Sequence, residues 1–331
     1  MSNVISIGLC LDSLNYTPSR GGLLFQCAAI LGSFVSMLHF CRKHVRHSPV
    51  HLNFKLLLVL YFIKCYVHGF VFLSAAANYY YRQLISGDGA PEHVFVSREF
   101  YKYVHLMYAT TVHADPTIKV LLVIERTWAT FRARNYENES SRCVRWLFVV
   151  FAFIYPTSMT LFAYWNADFD SPACFALFTP DGTMLGVNVM FIIQIVTSAL
   201  SIVYVKYLIR LNTRKLENQQ FHLTTRYQLH ENLSCTHFLS TVLVSSFSVA
   251  LFFGVSTLAL RVGPFDGFRN NPPFFAFLRM AIYPIPLADL LIPIYSGNQM
   301  KRERTVKMIH LNEAIKNSPE VYDKMLKAQW A

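Results

Sequence analysis

The feature that most constrains this chain is a series of seven long apolar windows. Each is long enough to cross a bilayer as a helix, which takes roughly 17–25 residues. The windows are 22–41, 54–78, 100–124, 146–165, 186–208, 236–260 and 274–296. In lipid the backbone must satisfy its own hydrogen bonds, and runs such as 146–155 lack the alternation of a barrel strand. The sequence therefore predicts an all-α bundle of seven transmembrane helices over 22–296.

The distribution of basic residues predicts how this bundle is oriented. Only 15% of residues are charged, whereas soluble domains carry about 25%. The segments on one predicted side hold 19 Lys and Arg, and those on the other hold 5. The richer set comprises 42–53, 125–145, 209–235 and the tail 297–331, and the poorer set comprises 1–21, 79–99, 166–185 and 261–273. Because basic loops stay cytoplasmic, we expect an extracellular N-terminus over 1–21 and a cytoplasmic C-terminus.

The net charge of +11 follows from this asymmetry, so we expect no nucleic-acid partner. In the cytoplasmic tail, apolar residues at Val306, Ile309, Leu311 and Ile315 favour either an amphipathic helix on the lipid surface or a solvated tail.

Two cysteines and one sequon fall in the predicted extracellular segments. Cys10 and Cys174 face the oxidising side, where they form either a disulfide or two free thiols. Of three Asn-X-Ser/Thr triplets, those at Asn138 and Asn232 lie on the predicted cytoplasmic side. Asn15 is therefore the expected N-glycosylation site.

Four ionisable residues lie at similar depth inside the windows: Lys64, Asp115, Lys119 and Asp289. Charge inside a bilayer is costly, so such residues pair with one another or mark a functional site. We expect Lys64 to pair with Asp115 or Asp289, and Lys119 follows Asp115 by one helical turn. The group either fixes helix register or contacts a bound molecule.

Nearer the extracellular side, five residues are candidates for a pocket: Tyr101, His105, Tyr108, Phe275 and Arg279. A pocket containing Arg279 would favour a small acidic or polar molecule. The alternative is that Arg279 extends outward to lipid headgroups.

No motif in the sequence predicts catalysis. The chain contains no GxSxG, HExxH or Walker-type loop. Its one histidine cluster, at His44, His47 and His51, supplies too few ligands for a di-iron site. We therefore expect no enzymatic activity, no cofactor and no metal.

Two polar motifs border the cytoplasmic ends of the third and sixth windows. The first is ERTWATF at Glu125–Phe131, and the second is LTTRYQLHEN at Leu223–Asn232. Together they resemble the nematode chemosensory receptors of the Sra superfamily, most closely the Sre (class epsilon) branch. The resemblance extends over 22–300.

The resemblance implies a multi-pass receptor in the plasma membrane of a sensory neuron. Such a receptor binds a small environmental or pheromone-like ligand within the bundle and signals to a heterotrimeric G protein. A transporter or ligand-gated channel is the alternative. Transporters often show paired, broken spans, and this sequence shows none.

The two motifs also predict a switch. We expect Arg126 to contact Glu231 in the resting state, with Glu125 orienting Arg126. Arg226 and Tyr227 complete the surface expected to face the G protein. Alternatively, Arg226 pairs with Glu231 within its own helix, or the charges are solvated.

Overall fold

The chain folds almost entirely into helices. The computed structural model describes residues 2–45, 51–86, 90–132, 142–180, 182–217, 223–262 and 271–298. In chain order the helices are α1 (Ser2–Asn15), α2 (Thr17–Phe40), α3 (Leu52–Ile85), α4 (Pro91–Val94), α5 (Arg98–Phe131), α6 (Arg142–Ala163), α7 (Met184–Glu217), α8 (Leu223–Val262), α9 (Pro272–Ala281) and α10 (285–298). The predicted all-α membrane bundle is confirmed.

Six helical segments among the described residues are long and apolar enough to cross a membrane. They are Thr17–Lys43, Leu52–Ile85, Arg142–Ala163, Leu185–Glu217, Gln228–Thr257 and Pro273–Asn298. The remaining predicted window, 100–124, lies in α5, which is also 34 residues long. Charged residues along α5 lower its hydropathy below that of the other six.

Helix α5 tolerates these charges because it lies inside the bundle. It packs against α3, α6, α7 and α8. The side chains of Lys119, Glu125 and Arg126 are buried among these neighbours. Protein rather than lipid therefore surrounds the charged face of α5, as expected for ionisable residues at membrane depth.

A glycine allows α2 and α3 to approach closely. A Cβ atom at Gly69 would lie 2.6 Å from the Phe34 ring and 2.8 Å from Ile30. A larger residue would therefore force α2 away from α3.

The seventh predicted window, 274–296, is not one continuous helix. Helix α9 ends at Ala281 and α10 begins at 285, because Pro284 and Pro286 cannot donate backbone hydrogen bonds. The Gln26 side chain donates to the Met280 carbonyl at 2.6 Å and lies 3.4 Å from the Tyr283 carbonyl. A side chain of α2 thus satisfies backbone groups at the break, as a low-polarity environment requires.

The N-terminal segment forms a cap over one end of the bundle. The Cys10 and Leu14 side chains of α1 are fully buried. They belong to a core cluster that also contains Tyr79, Val94 and Phe175. We call this end the lid end, and residues 167–180 the lid. Most of the predicted tail, 297–331, lies outside the described residues.

Candidate functional site

A cavity of about 450 Å³ lies between α3, α5, α7, α8, α9 and α10, beneath the lid. Its size falls in the range typical of small-molecule sites. Aromatic side chains form much of the wall, including Phe72, Tyr108, Phe253 and Tyr283. Charged residues from four helices also line it, so the cavity has both apolar walls and charged groups.

All four ionisable residues predicted inside the windows line this cavity. The Lys64 ammonium lies 2.7 Å from Asp115 Oδ1, and the Lys119 ammonium contacts Asp115 Oδ2. Asp115 is therefore shared by two lysines, one on α3 and one on its own helix. Both ammonium groups also face the ring of Tyr61, at 4.9 Å and 5.6 Å from its centroid.

Asp289 lies in the same region but has different partners. The Cys65 thiol donates to Asp289 Oδ1 at 3.5 Å, and His68 Nδ1 lies 3.7 Å from Asp289 Oδ2. His68 Nε2 is 2.5 Å from the Tyr283 hydroxyl. Of the two carboxylates that the sequence offered to Lys64, the structure therefore pairs it with Asp115.

A second polar patch joins α5 to α7. The Gln194 amide lies 2.8 Å from His113 Nδ1, and both residues line the cavity. Because an amide N–H donates, Nδ1 accepts and the proton of the neutral ring lies on Nε2. The cavity wall thus contains hydrogen-bonding groups from α5 and α7 in addition to the charged group around Asp115.

Three of the five pocket candidates line the cavity: Tyr108, Phe275 and Arg279. The Arg279 guanidinium lies over the ring of Phe178 in the lid, 4.2 Å from its centroid. Arg279 is therefore placed in the cavity wall, whereas the sequence had also allowed it to extend to headgroups.

The other two pocket candidates, Tyr101 and His105, hold the lid in place instead. The Tyr101 hydroxyl donates to the Phe178 carbonyl at 2.8 Å. His105 Nδ1 donates to the Ala176 carbonyl at 3.2 Å, and its Nε2 accepts from the Tyr164 hydroxyl at 3.1 Å. The carbonyl can only accept, which fixes the tautomer of the neutral ring.

A disulfide and an arginine attach the lid to the rest of this end. Cys10 of α1 and Cys174 of the lid are joined, with their Cα atoms 5.6 Å apart. The Arg82 guanidinium donates to the carbonyls of Val94 at 2.6 Å and Cys174 at 2.7 Å. Arg82 is buried, and sequence reasoning did not identify it. Its charge is compensated here by two backbone carbonyls, one from the last residue of α4 and one from the lid.

The opposite end of α5 carries a second polar cluster. Arg126, 2% exposed, makes two hydrogen bonds to Glu125, each at 2.6 Å. It also donates to Asn232 Oδ1 of α8 at 3.2 Å and lies over the Phe54 ring of α3 at 4.5 Å. Arg126 thus joins three helices at one point.

Amide and hydroxyl groups extend this cluster to α7. The Thr130 hydroxyl accepts from Asn232 at 2.9 Å and from Asn212 at 3.1 Å. The Lys215 ammonium donates to the Thr130 carbonyl at 2.8 Å, in the last turn of α5, where a cation complements the helix dipole. The ends of α5, α7 and α8 are therefore connected by a continuous hydrogen-bond network.

In this network Arg126 hydrogen-bonds Asn232, the residue next to Glu231 on α8. The predicted contact between Arg126 and Glu231 stays a prediction. Glu125 does orient Arg126, as expected. The side chains of Arg226 and Tyr227 lie outside the described residues.

Comparison with known sequences assigns the family. A family model described as the serpentine type 7TM GPCR receptor class ab chemoreceptor matches residues 14–331. The chain belongs to this chemoreceptor family. The receptor is 29% identical to serpentine receptor class beta-16 of Caenorhabditis elegans over 335 residues, covering 99% of this chain and 94% of that one. Serpentine receptor class beta-17 of the same organism is 24% identical, with 93% and 87% covered.

The predicted branch was wrong. The matches are to class ab and class beta rather than to Sra or Sre receptors. The ERTWATF and LTTRYQLHEN motifs together span only a small part of this receptor. Two short segments carry too little sequence to separate branches of receptors, whereas a match along the whole chain can.

The sequence analysis of this receptor also missed Asn232, Thr130 and Asn212. Asn232 stands in the second motif, but it was considered only as a glycosylation triplet. Its position at the end of LTTRYQLHEN, the motif expected to lie near ERTWATF, is the sequence feature that could have identified it. In the structure Asn232 is buried, which leaves no room for a glycan.

Proposed function

We propose that this receptor binds a small molecule in the cavity beneath the lid and signals to a heterotrimeric G protein at the opposite end of the bundle. The observation that carries the proposal is that α5 belongs to both sites. Asp115 and Lys119 of α5 line the cavity, and Glu125 and Arg126 follow about two to three turns later. A rigid helix transmits a displacement over that distance, about 15 Å at 1.5 Å per residue from Asp115 to Glu125.

In the resting arrangement, Arg126 is bound by Glu125 and by Asn232. Ligand binding that shifts α5 relative to α8 breaks the Arg126–Asn232 and Thr130–Asn232 contacts. The ends of the two helices then separate and expose a cleft for the G protein. Such activation is a population shift, and the ligand contributes only the difference in its affinity for the two arrangements.

The proposal includes a topology with the lid end outside the cell. The basic loops support it, because they lie at the Arg126 end. The disulfide between α1 and the lid supports it too, since such bonds persist in oxidising compartments. We place the receptor in the plasma membrane of a sensory neuron, on the basis of its chemoreceptor relatives.

Calcium imaging tests the proposal in cells that express the receptor, with a panel of volatile and water-soluble cues. An active cue should give a response that GDP-β-S abolishes, and Arg126→Ala should lose the response at equal surface expression. Arg132→Ala is the matched control, because Arg132 lies at the same end of α5 but is exposed. A calcium response that persists with GDP-β-S would favour the channel alternative and contradict the proposal.

A further inference from the structure

One hydrogen-bonded pair in the cavity wall uses only part of its bonding capacity. The Gln194 amide of α7 donates to His113 Nδ1 of α5 at 2.8 Å, and both residues line the cavity. A glutamine also carries a carbonyl oxygen, and a neutral imidazole also carries an N–H. In the part of the chain that the structure describes, neither Gln194 Oε1 nor His113 Nε2 has a hydrogen-bond partner. The pair therefore offers an acceptor and a donor to a molecule in the cavity.

Burial makes these two groups informative. His113 is only 9% exposed, and the lid covers the cavity above it. A buried polar group without a partner costs free energy, and nearly all buried polar groups in native proteins have one. A ligand that supplies both partners therefore gains affinity at this place in the wall.

Small and aromatic side chains surround the pair. Ala109 precedes His113 by four residues, so it lies on the same face of α5 and leaves space beside the imidazole. The Phe191 ring of α7 packs on Phe253 of α8 with centroids 5.5 Å apart, and Phe253 packs on Tyr283 at 5.6 Å. All of these residues line the cavity. Such walls favour an apolar molecular body.

We propose that His113 and Gln194 bind the polar head of an uncharged, mostly apolar ligand, and that this head both accepts and donates a hydrogen bond, as a hydroxyl does. This inference rests on the proposed function and names the chemical class of its ligand. His113 Nε2–H donates to the hydroxyl oxygen, and the hydroxyl donates to Gln194 Oε1. The apolar body lies against Phe191 and Phe253. A charged head would lose its hydration in exchange for two uncharged partners, so an uncharged head is favoured.

A threonine in the same wall is the rival site for such a head. Thr257 of α8 lines the cavity, and its buried Oγ1 has no hydrogen-bond partner among the described residues. A threonine hydroxyl can also accept and donate, but it rotates freely. The Gln194–His113 hydrogen bond instead holds a donor and an acceptor in place before the ligand arrives, which lowers the cost of binding.

The test is equilibrium binding to the full-length receptor in phosphatidylcholine nanodiscs, without a G protein. The probes are octanol and heptyl methyl ether, which are isomers of similar size. Both oxygens accept a hydrogen bond, but only octanol donates one. Protein-free nanodiscs give the share of each probe that the lipid takes up. We expect octanol to bind about fivefold more tightly than the ether, as for one hydrogen bond between neutral groups.

Substitutions separate the two halves of the pair. Gln194→Met keeps the chain length but removes the acceptor, so octanol should lose its preference over the ether. His113→Phe keeps a ring but removes the donor, so both probes should bind about fivefold more weakly. Thr257→Val keeps the side-chain shape, removes the rival hydroxyl and should change neither affinity. If His113→Phe does not fold, Gln194→Met and the two probes on the unmodified receptor still decide.

Equal affinities of the unmodified receptor for octanol and the ether would overturn the proposal. A preference for octanol that survives in Gln194→Met would overturn it too, as would one that is lost in Thr257→Val. A receptor that prefers octanol but does not signal to any cue would contradict only the proposed coupling. Signalling solely to cues that cannot donate a hydrogen bond would contradict the ligand class and leave the coupling intact.

Discussion

The two polar regions of this receptor differ in how completely their charges are enclosed. At the cavity, the Asp115 side chain is 29% exposed, while the two lysines that pair with it are 6% and 4% exposed. At the opposite end of α5, Arg126 and Glu125 are packed solid, with 2% and 1% exposure. The first arrangement can accept a molecule without rearranging its core. The second can change only if the helices around it move apart.

The difference shows how one membrane helix can serve two tasks. Helix α5 pairs charges across to α3 at the cavity and amides across to α7 and α8 at its other end. Buried ion pairs are costly to break, at about 3–5 kcal/mol when one partner is removed, whereas a hydrogen bond contributes only about 0.5–1.5 kcal/mol between neutral groups and about 1.5–3 kcal/mol when one group is charged. We therefore expect the ion pairs at the cavity to stay formed, and the hydrogen bonds of Asn232 to break and re-form between the two arrangements.

The largest effect is expected from removing the carboxylate that Asp115 shares with two lysines. Asp115→Asn leaves two buried lysines without their shared carboxylate and should destabilise the receptor by about 3 kcal/mol, the lower end for a broken buried pair because Asp115 borders the cavity. Thermal unfolding of purified protein measures the loss. Adding Lys64→Met should restore part of it. Asp170→Asn breaks the exposed pair between Arg98 and Asp170 at the lid end and should cost less than about 1 kcal/mol. Equal losses in Asp115→Asn and Asp170→Asn would contradict the assignment.

The lid is expected to give the next largest effect. Replacing both Cys10 and Cys174 by serine releases a link across 164 residues. Loop entropy alone favours a cost of about 5 kcal/mol, but inserted helices already restrict the unfolded chain. We therefore expect about 2 kcal/mol, seen as a lower unfolding temperature. Cys143→Ser, which removes an exposed thiol, is the control, and an unchanged unfolding temperature in the double variant would argue against the link.

A smaller effect separates the two candidate partners of Arg126. Asn232→Leu removes a hydrogen bond to a charged group and should raise the ratio of active to resting receptor about tenfold, seen as basal signalling. Asn232→Asp should lower basal signalling, because a carboxylate binds Arg126 more strongly. Glu231→Gln should leave it nearly unchanged. Raised basal signalling in Glu231→Gln alone would instead identify Glu231, the partner predicted from the sequence, as the residue that holds Arg126 in the resting state.

The smallest effect is a test of orientation. Asn15 ends α1 and its side chain is exposed, where it accepts a hydrogen bond from Arg20 at 2.9 Å. Asn15→Gln should remove a glycosidase-sensitive mobility shift and leave unfolding unchanged. A shift that persists in this variant would mean that another triplet lies outside the cell.

Several features could be predicted from residues alone because they depend on local properties. Window length and hydropathy predict membrane helices wherever they stand in the bundle. Lys64, Asp115 and Asp289 were placed at one depth by counting along each helix. Counting gives depth but not direction around the helix axis, which is why the partner of Lys64 stayed open between two carboxylates.

By itself, the sequence determined the membrane bundle, the depth of its charges and the cysteines available on one side. The tertiary structure alone decided that Lys64 meets Asp115, that Tyr101 and His105 hold the lid, and that Arg126 meets Asn232. Each of these depends on how far a helix is rotated and tilted against its neighbours. Packing of the whole bundle sets those rotations, and breaks such as the one between α9 and α10 change them within a single span.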